Sequence, residues 1–152
     1  MPFVLVQTLN LFCAGLLAGI EVAVRFGVRG PVATLAASPQ IQVRQGLIRT
    51  LRVLTPIVFG LTLLSALVVT GLGRAVPGGA MRWFGLAAIL AWTVVTFLGT
   101  VPINKALLTW RPEAPPENWK EQVKRWERLD TFRAAAAVIA FAGFLAAAAQ
   151  RI

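Results

Sequence analysis

The chain has 152 residues, 57% of them hydrophobic and only 14% charged, with a mean hydropathy of +0.73. That is too apolar for an ordinary soluble domain and too short for two, so one membrane domain over residues 1–152 is expected. The net charge of +9 raises nucleic acid as a partner, but twelve of the fifteen basic residues fall in segments 25–52 and 105–133, at or beyond the ends of apolar runs. Membrane-protein loops distribute charge in this way, and no soluble nucleic-acid-reading module accompanies it.

The apolar run from Phe3 to Val24 is 22 residues long, and at ~1.5 Å per residue it crosses a hydrocarbon core of ~30 Å. It lacks a basic leader and continues into Glu21 and Arg25, so it reads as a retained span over 3–26 rather than a signal peptide. Gly15 and Gly19 form a small-xxx-small pair suited to close helix packing. Asn10, Ala14, Leu17, Ala18, Glu21 and Arg25 share another face, and Glu21 with Arg25 is spaced as an i,i+4 ion pair. An acid this close to lipid must face protein or water. Gly27, Gly30 and Pro31 are expected to end this helix.

Ser38-Pro39 reads as an N-cap followed by proline at the first helical position, so the second helix starts well before its apolar part. Its first stretch, QIQVRQGLIRTLRV, is polar and basic; the span itself is expected over 48–72, with Pro56 as a kink and Arg52 on the same face. A Gly/Pro-rich turn carrying Arg74 follows. The third span, 81–108, is expected to continue through Pro102, with Trp83 and Trp110 at the two interfaces. Thr93, Thr96, Thr100 and Asn104 recur at helical spacing on one side, a polar stripe that points into a bundle. The threonines are expected chiefly to bond their own backbone, whereas Asn104 is less easily satisfied locally.

After RPEAPP, the segment from Trp119 to Gln150 begins as a charged amphipathic helix and runs unbroken into the uncharged stretch Ala134–Ala149, giving a fourth span over 130–150. Trp119, Val123, Trp126, Asp130, Arg133 and Ala137 lie on one stripe, so Asp130 and Arg133 sit together where the helix enters the bilayer. The fold class is therefore all-α: a four-transmembrane-helix bundle with cytoplasmic extensions of the second and fourth helices. The positive-inside rule predicts a multi-pass protein of the cell membrane with both termini outside the cytoplasm. On this topology Glu21, Arg25, Arg52, Asn104, Trp126, Asp130 and Arg133 converge at the cytoplasmic end.

The residues also narrow the chemistry. The single cysteine, Cys13, excludes an internal disulfide, and the chain has no histidine, which argues against haem or a soft metal. No metal and no cofactor are expected. With no tyrosine either, any acid or base is a carboxylate, lysine, arginine or water.

AGLLAGIEVAVRFGVRG in the first span, PQIQVRQGLIRTLRVLTP leading into the second, VPINKALLTW ending the third and W-x6-W-x6-R within NWKEQVKRWERLDTFR resemble the anthrone-oxygenase-like family of four-helix membrane proteins. The resemblance covers most of the chain, and Asn104, Trp110, Trp126 and Arg133 match recurrent positions. At the position of Asp130 the family commonly carries histidine; if that histidine is the proton acceptor, Asp130 substitutes for it here. The resemblance implies a cofactor-independent oxygenase that removes a proton next to an aromatic ketone and passes the carbanion to dioxygen. Asp130 or Glu21 would then be the base, and Arg133, Arg25 or Asn104 would stabilise the enolate. Trp126, Thr100, Arg25 and Arg52 are the candidates for holding substrate. Two other readings stay open: a non-catalytic structural or accessory membrane protein in which Glu21–Arg25 and Asp130–Arg133 lock helices together, and a small-molecule binding or transport protein. The expected partners are membrane lipids and a hydrophobic small molecule, with no nucleic acid, and the chain can also oligomerise.

Overall fold

The computed structural model describes residues 2–150. It contains α1 (Pro2–Val22), α2 (Arg29–Ala33), α3 (Ala37–Leu72), α4 (Gly79–Val95), α5 (Val101–Thr109) and α6 (Trp119–Ala149), with π-helical segments Ala23–Val28 and Thr96–Thr100 joining α1 to α2 and α4 to α5. The result is four continuous helical spans, Phe3–Ala33, Ala37–Leu72, Gly79–Thr109 and Trp119–Ala149, each long and apolar enough to cross a membrane. The protein is an all-helical, multi-pass membrane bundle. Large side chains such as Phe12, Leu64, Leu98 and Phe132 point outwards, as a lipid-facing surface requires.

Prolines fall inside three of these spans and reshape two of them. Pro31 and Pro102 lack an N–H and crowd the carbonyls four residues earlier, those of Gly27 and Leu98, and each of those carbonyls lies in a π-helical segment. The first helix is therefore widened rather than ended at Gly27–Pro31, and it runs on to Ala33 instead of stopping near residue 26. Pro56 sits inside α3, which stays α-helical around it. The α3 N-cap is Ala36, two residues before the expected Ser38. Pro39 then falls in the first turn, where a missing N–H still costs nothing because no helical partner exists.

Small residues bring the spans together. The core runs through Ala14, Leu17, Ala18, Ala66, Val69, Ile89, Trp92, Ala137, Ala140 and Phe144. A Cβ on Gly143 would lie 3.2 Å from the Gly85 backbone, so α4 and α6 approach at these two glycines. Gly15 packs against the Phe141 ring, which a Cβ would meet at 3.3 Å, whereas Gly19 has nothing within 4 Å. The Gly15–Gly19 pair is thus not one packing motif, because only Gly15 meets a neighbouring helix closely. Asn10 Nδ2 donates to Ser65 Oγ at 3.2 Å and clamps α1 to α3 within the apolar layer.

Helix C-termini end on unpaired carbonyls, which lipid cannot satisfy. A side chain from elsewhere in the bundle caps three of them. Gln40 Nε2 donates to Val32 O at 3.1 Å, and Gln45 Nε2 donates to Leu107 O and Trp110 O, both at 3.0 Å. The buried Arg82 guanidinium donates to Gly73 O, Val76 O and Pro77 O at 2.6, 2.5 and 3.0 Å, gathering the turn between α3 and α4.

Candidate functional site

On α6 the spacing of Trp126, Asp130 and Arg133 turns all three inwards, leaving them 8%, 3% and 9% exposed. Glu21 of α1 faces them and is equally buried. Between these groups and the middle of α3 and the α4–α5 junction lies a cavity of about 220 Å³. Its polar lining includes Glu21, Arg52, Thr55, Thr96, Thr100, Asn104, Asp130 and Arg133, and its apolar walls include Leu47, Leu51, Phe59, Trp92 and Phe97.

The two carboxylates are held very differently. Glu21 Oε1 accepts hydrogen bonds from Arg133 Nη2 and, at 3.2 Å, from Trp92 Nε1. The Arg133 guanidinium also lies 4.9 Å from the Trp92 ring centre, and Trp92 stacks on Phe59 with centroids 4.7 Å apart. Glu21 is therefore fixed by a cation and an indole. Asp130 Oδ1 stands 3.9 Å from Arg133 Nη1, close enough for attraction and too far for a hydrogen bond, and Asp130 makes no hydrogen bond among the described residues. A buried carboxylate with free lone pairs is thus presented to the cavity.

Hydrogen-bond donors line the α4–α5 side. Trp126 Nε1 donates to Asn104 Oδ1 at 2.8 Å, and because an indole can only donate, this contact fixes the amide orientation and leaves Nδ2 as an unused donor. Thr93 bonds Ile89 O at 2.8 Å as a threonine in a membrane helix is expected to do. Thr96 and Thr100 do not: their buried hydroxyls have no partner among the described residues, and both sit on the widened π turn, where the backbone carbonyls are displaced.

Of the candidate catalytic and substrate-holding residues, Glu21, Arg52, Thr100, Asn104, Trp126, Asp130 and Arg133 line this cavity, whereas Arg25 does not. Arg25 Nε instead donates to Thr131 Oγ1 at 2.7 Å, and its guanidinium lies 5.1 Å from the Phe26 ring centre. The expected Glu21–Arg25 pair does not form, because the π segment beginning at Ala23 breaks the i,i+4 register and Glu21 turns to Arg133. Arg52 is exposed, without a hydrogen-bond or ion partner among the described residues.

Sequence reasoning missed Trp92, whose signal was a tryptophan midway along a span and away from both interfaces. It also missed Glu127, which bonds Arg29 Nη2 at 2.7 Å and Arg44 Nη2 at 2.9 Å. No local pattern announces contacts between residues so far apart in the chain. Among the described residues, no group of three or more His, Cys, Asp or Glu side chains is placed to hold a metal.

No curated protein and no solved structure matches this chain. The family model for anthrone oxygenase matches residues 47–143, which carry Arg52, Thr100, Asn104, Trp126, Asp130 and Arg133, though not Glu21. With well over half its length matched and four membrane-spanning helices around a shared cavity, the chain belongs to the anthrone oxygenase family.

Proposed function

We propose that the cavity is the active site of a cofactor-independent oxygenase acting on an aromatic ketone of the anthrone type, with Asp130 as the base. The observation that carries this reading is the asymmetry of the carboxylates: Glu21 is held through Oε1 by Arg133 and Trp92, whereas Asp130 lines the cavity with no hydrogen bond among the described residues. Asp130 takes a proton from the ring CH2 activated by the ketone, and the electron pair moves onto the ketone oxygen. Asn104 Nδ2 and the Thr100 hydroxyl are donors suited to that enolate oxygen. The carbanion passes one electron to dioxygen, and the radical pair joins to form a C–O bond. Asp130 returns its proton to the resulting peroxide anion. Loss of the second CH2 proton with cleavage of the O–O bond releases water and leaves a new carbonyl, so that CH2 and O2 become C=O and H2O.

An apolar cavity of ~150 Å³ takes a benzene ring; one of about 220 Å³ takes a larger fused system. Phe59, Trp92 and Trp126 supply aromatic walls for it. Arg133 acts here as a positioning residue that holds Glu21 and balances Asp130.

The test is oxygen uptake by the purified protein in detergent with anthrone, followed alongside product absorbance. Wild-type turnover is expected, and Asp130→Asn should lower it by ~10²-fold or more, the usual contribution of a general base. Absence of any uptake by wild-type protein with anthrone-type ketones overturns the assignment. The alternative reading, in which the charged groups only lock the helices, draws on the Glu21–Arg133–Trp92 lock. It predicts folded protein with no turnover.

A further inference from the structure

A second cavity, also of about 220 Å³, lies where the end of α2, the first turns of α3 and the first turns of α6 meet. Its polar lining is strongly biased in charge: Arg44, Lys120 and Lys124 against the single carboxylate of Glu127. Glu127 is already taken by two guanidiniums, Arg44 and Arg29, at 2.9 and 2.7 Å. The positive charges of the lining therefore outnumber the negative, and the excess lies on the α6 side at Lys120 and Lys124. Arg44 is only 3% exposed, and its Nε–H has no acceptor among the described residues. Lys120 and Lys124 stand one turn apart on α6, are exposed and form no ion pair among the described residues. Like charges at that spacing oppose each other, and an anion between them removes the penalty.

We propose that this cavity binds a phosphate group. Phosphate suits the donor set because it offers several acceptor oxygens at once, for the Arg44 guanidinium in the cavity wall and for the ammonium groups of Lys120 and Lys124. The depth is also suitable. The cavity is flanked by Trp119 and lies on the charged halves of α3 and α6, just before each helix becomes apolar, where lipid headgroups sit. Phosphate at this level comes either from an anionic lipid or from a soluble phosphate, and the chemistry that recognises it is the same.

The full-length protein reconstituted in phosphatidylcholine nanodiscs, with or without phosphatidylglycerol, tests this directly, with thermal melting and bound-lipid mass spectrometry as readouts. Inorganic phosphate is titrated separately into the phosphatidylcholine sample. Retention of phosphatidylglycerol with a raised melting temperature supports a lipid phosphate, and stabilisation by millimolar inorganic phosphate supports a soluble one. In either case the double variant Lys120→Gln/Lys124→Gln should bind on the order of tenfold more weakly or worse. Its melting temperature in phosphatidylcholine should stay unchanged, because both side chains are exposed. The control Arg49→Gln/Lys105→Gln removes the same charge from exposed positions outside the cavity and should bind as wild type does. Response to neither probe, or equal weakening by the two double variants, overturns the proposal. Since binding is read without turnover, its failure is distinct from failure of the oxygenase reading.

Discussion

Arg133 touches Glu21, Asp130 and the face of Trp92, and the cost of removing each acid follows from how that acid is held. Glu21 is the direct hydrogen-bond partner of the guanidinium, and the pair is buried on both sides. Glu21→Gln leaves a largely buried cation facing a neutral amide, and breaking such a pair costs about 3–5 kcal/mol. Asp130, at 3.9 Å and with no hydrogen bond, contributes only weak attraction to the fold. Asp130→Asn should therefore cost less than Glu21→Gln, about 1–2 kcal/mol, between the ranges for exposed and buried pairs, while lowering turnover by ~10²-fold or more. Thermal and denaturant melts of the two variants in one detergent provide the check: similar losses of stability, or a larger loss for Asp130→Asn, would mean that the carboxylates share one structural role. The α6 stripe was legible in the sequence because Trp126, Asp130 and Arg133 lie within two helical turns and the 3.6-residue period places them together. The partner of Arg133 was not. Glu21 was expected to pair with Arg25, its neighbour in sequence, and only the π segment between them shows why a residue on another helix takes it instead.

At the scale of the elements, the four spans follow from apolar runs of sufficient length, and the continuation of the third helix through Pro102 to Thr109 agrees with the expectation. Proline was harder to read, because its missing N–H is compatible with an end, a kink or a widened turn. In the first and third helices the surrounding bundle holds the chain helical, so the disturbance is absorbed as a π turn, and in both cases close to the cavity. The unpartnered Thr96 and Thr100 hydroxyls are a consequence of that turn, invisible to any periodic reading of the stripe. Glycine spacing was similarly ambiguous. Gly15 abuts Phe141 and Gly19 abuts nothing, so Gly15→Leu should destabilise the bundle by about 1–3 kcal/mol through overpacking, and Gly19→Leu by no more than about 0.5 kcal/mol. Equal melting shifts for the two variants would show that α1 packs through a different face.

For the whole molecule, the basic residues gather at one end of the bundle: segments 25–52 and 105–133 hold twelve of the fifteen, and the α3–α4 turn carries Arg74 with Arg82 beyond it. Arg82 is spent on the carbonyls of that turn and is buried, so it adds little to the surface charge of its end. The positive-inside rule predicts that the loops around Ser38 and Pro115 lie in the cytoplasm and the α3–α4 turn outside. In that predicted orientation both cavities would lie towards the cytoplasmic side. Cysteine labelling in intact cells tests this cleanly, because the native Cys13 is buried and should remain silent to a membrane-impermeant maleimide. In the α3–α4 turn, Gly78 is unsuitable as a probe: its φ is +88° and a Cβ there would fall 2.6 Å from Ala147 O. The neighbouring Ala75 is exposed and free of that constraint. Ala75→Cys should label in intact cells, whereas Ser38→Cys and Pro115→Cys should label only after the membrane is opened. The opposite pattern would invert the protein and place both cavities at the outer face, and labelling of all three positions in intact cells would mean that the chain inserts in both orientations.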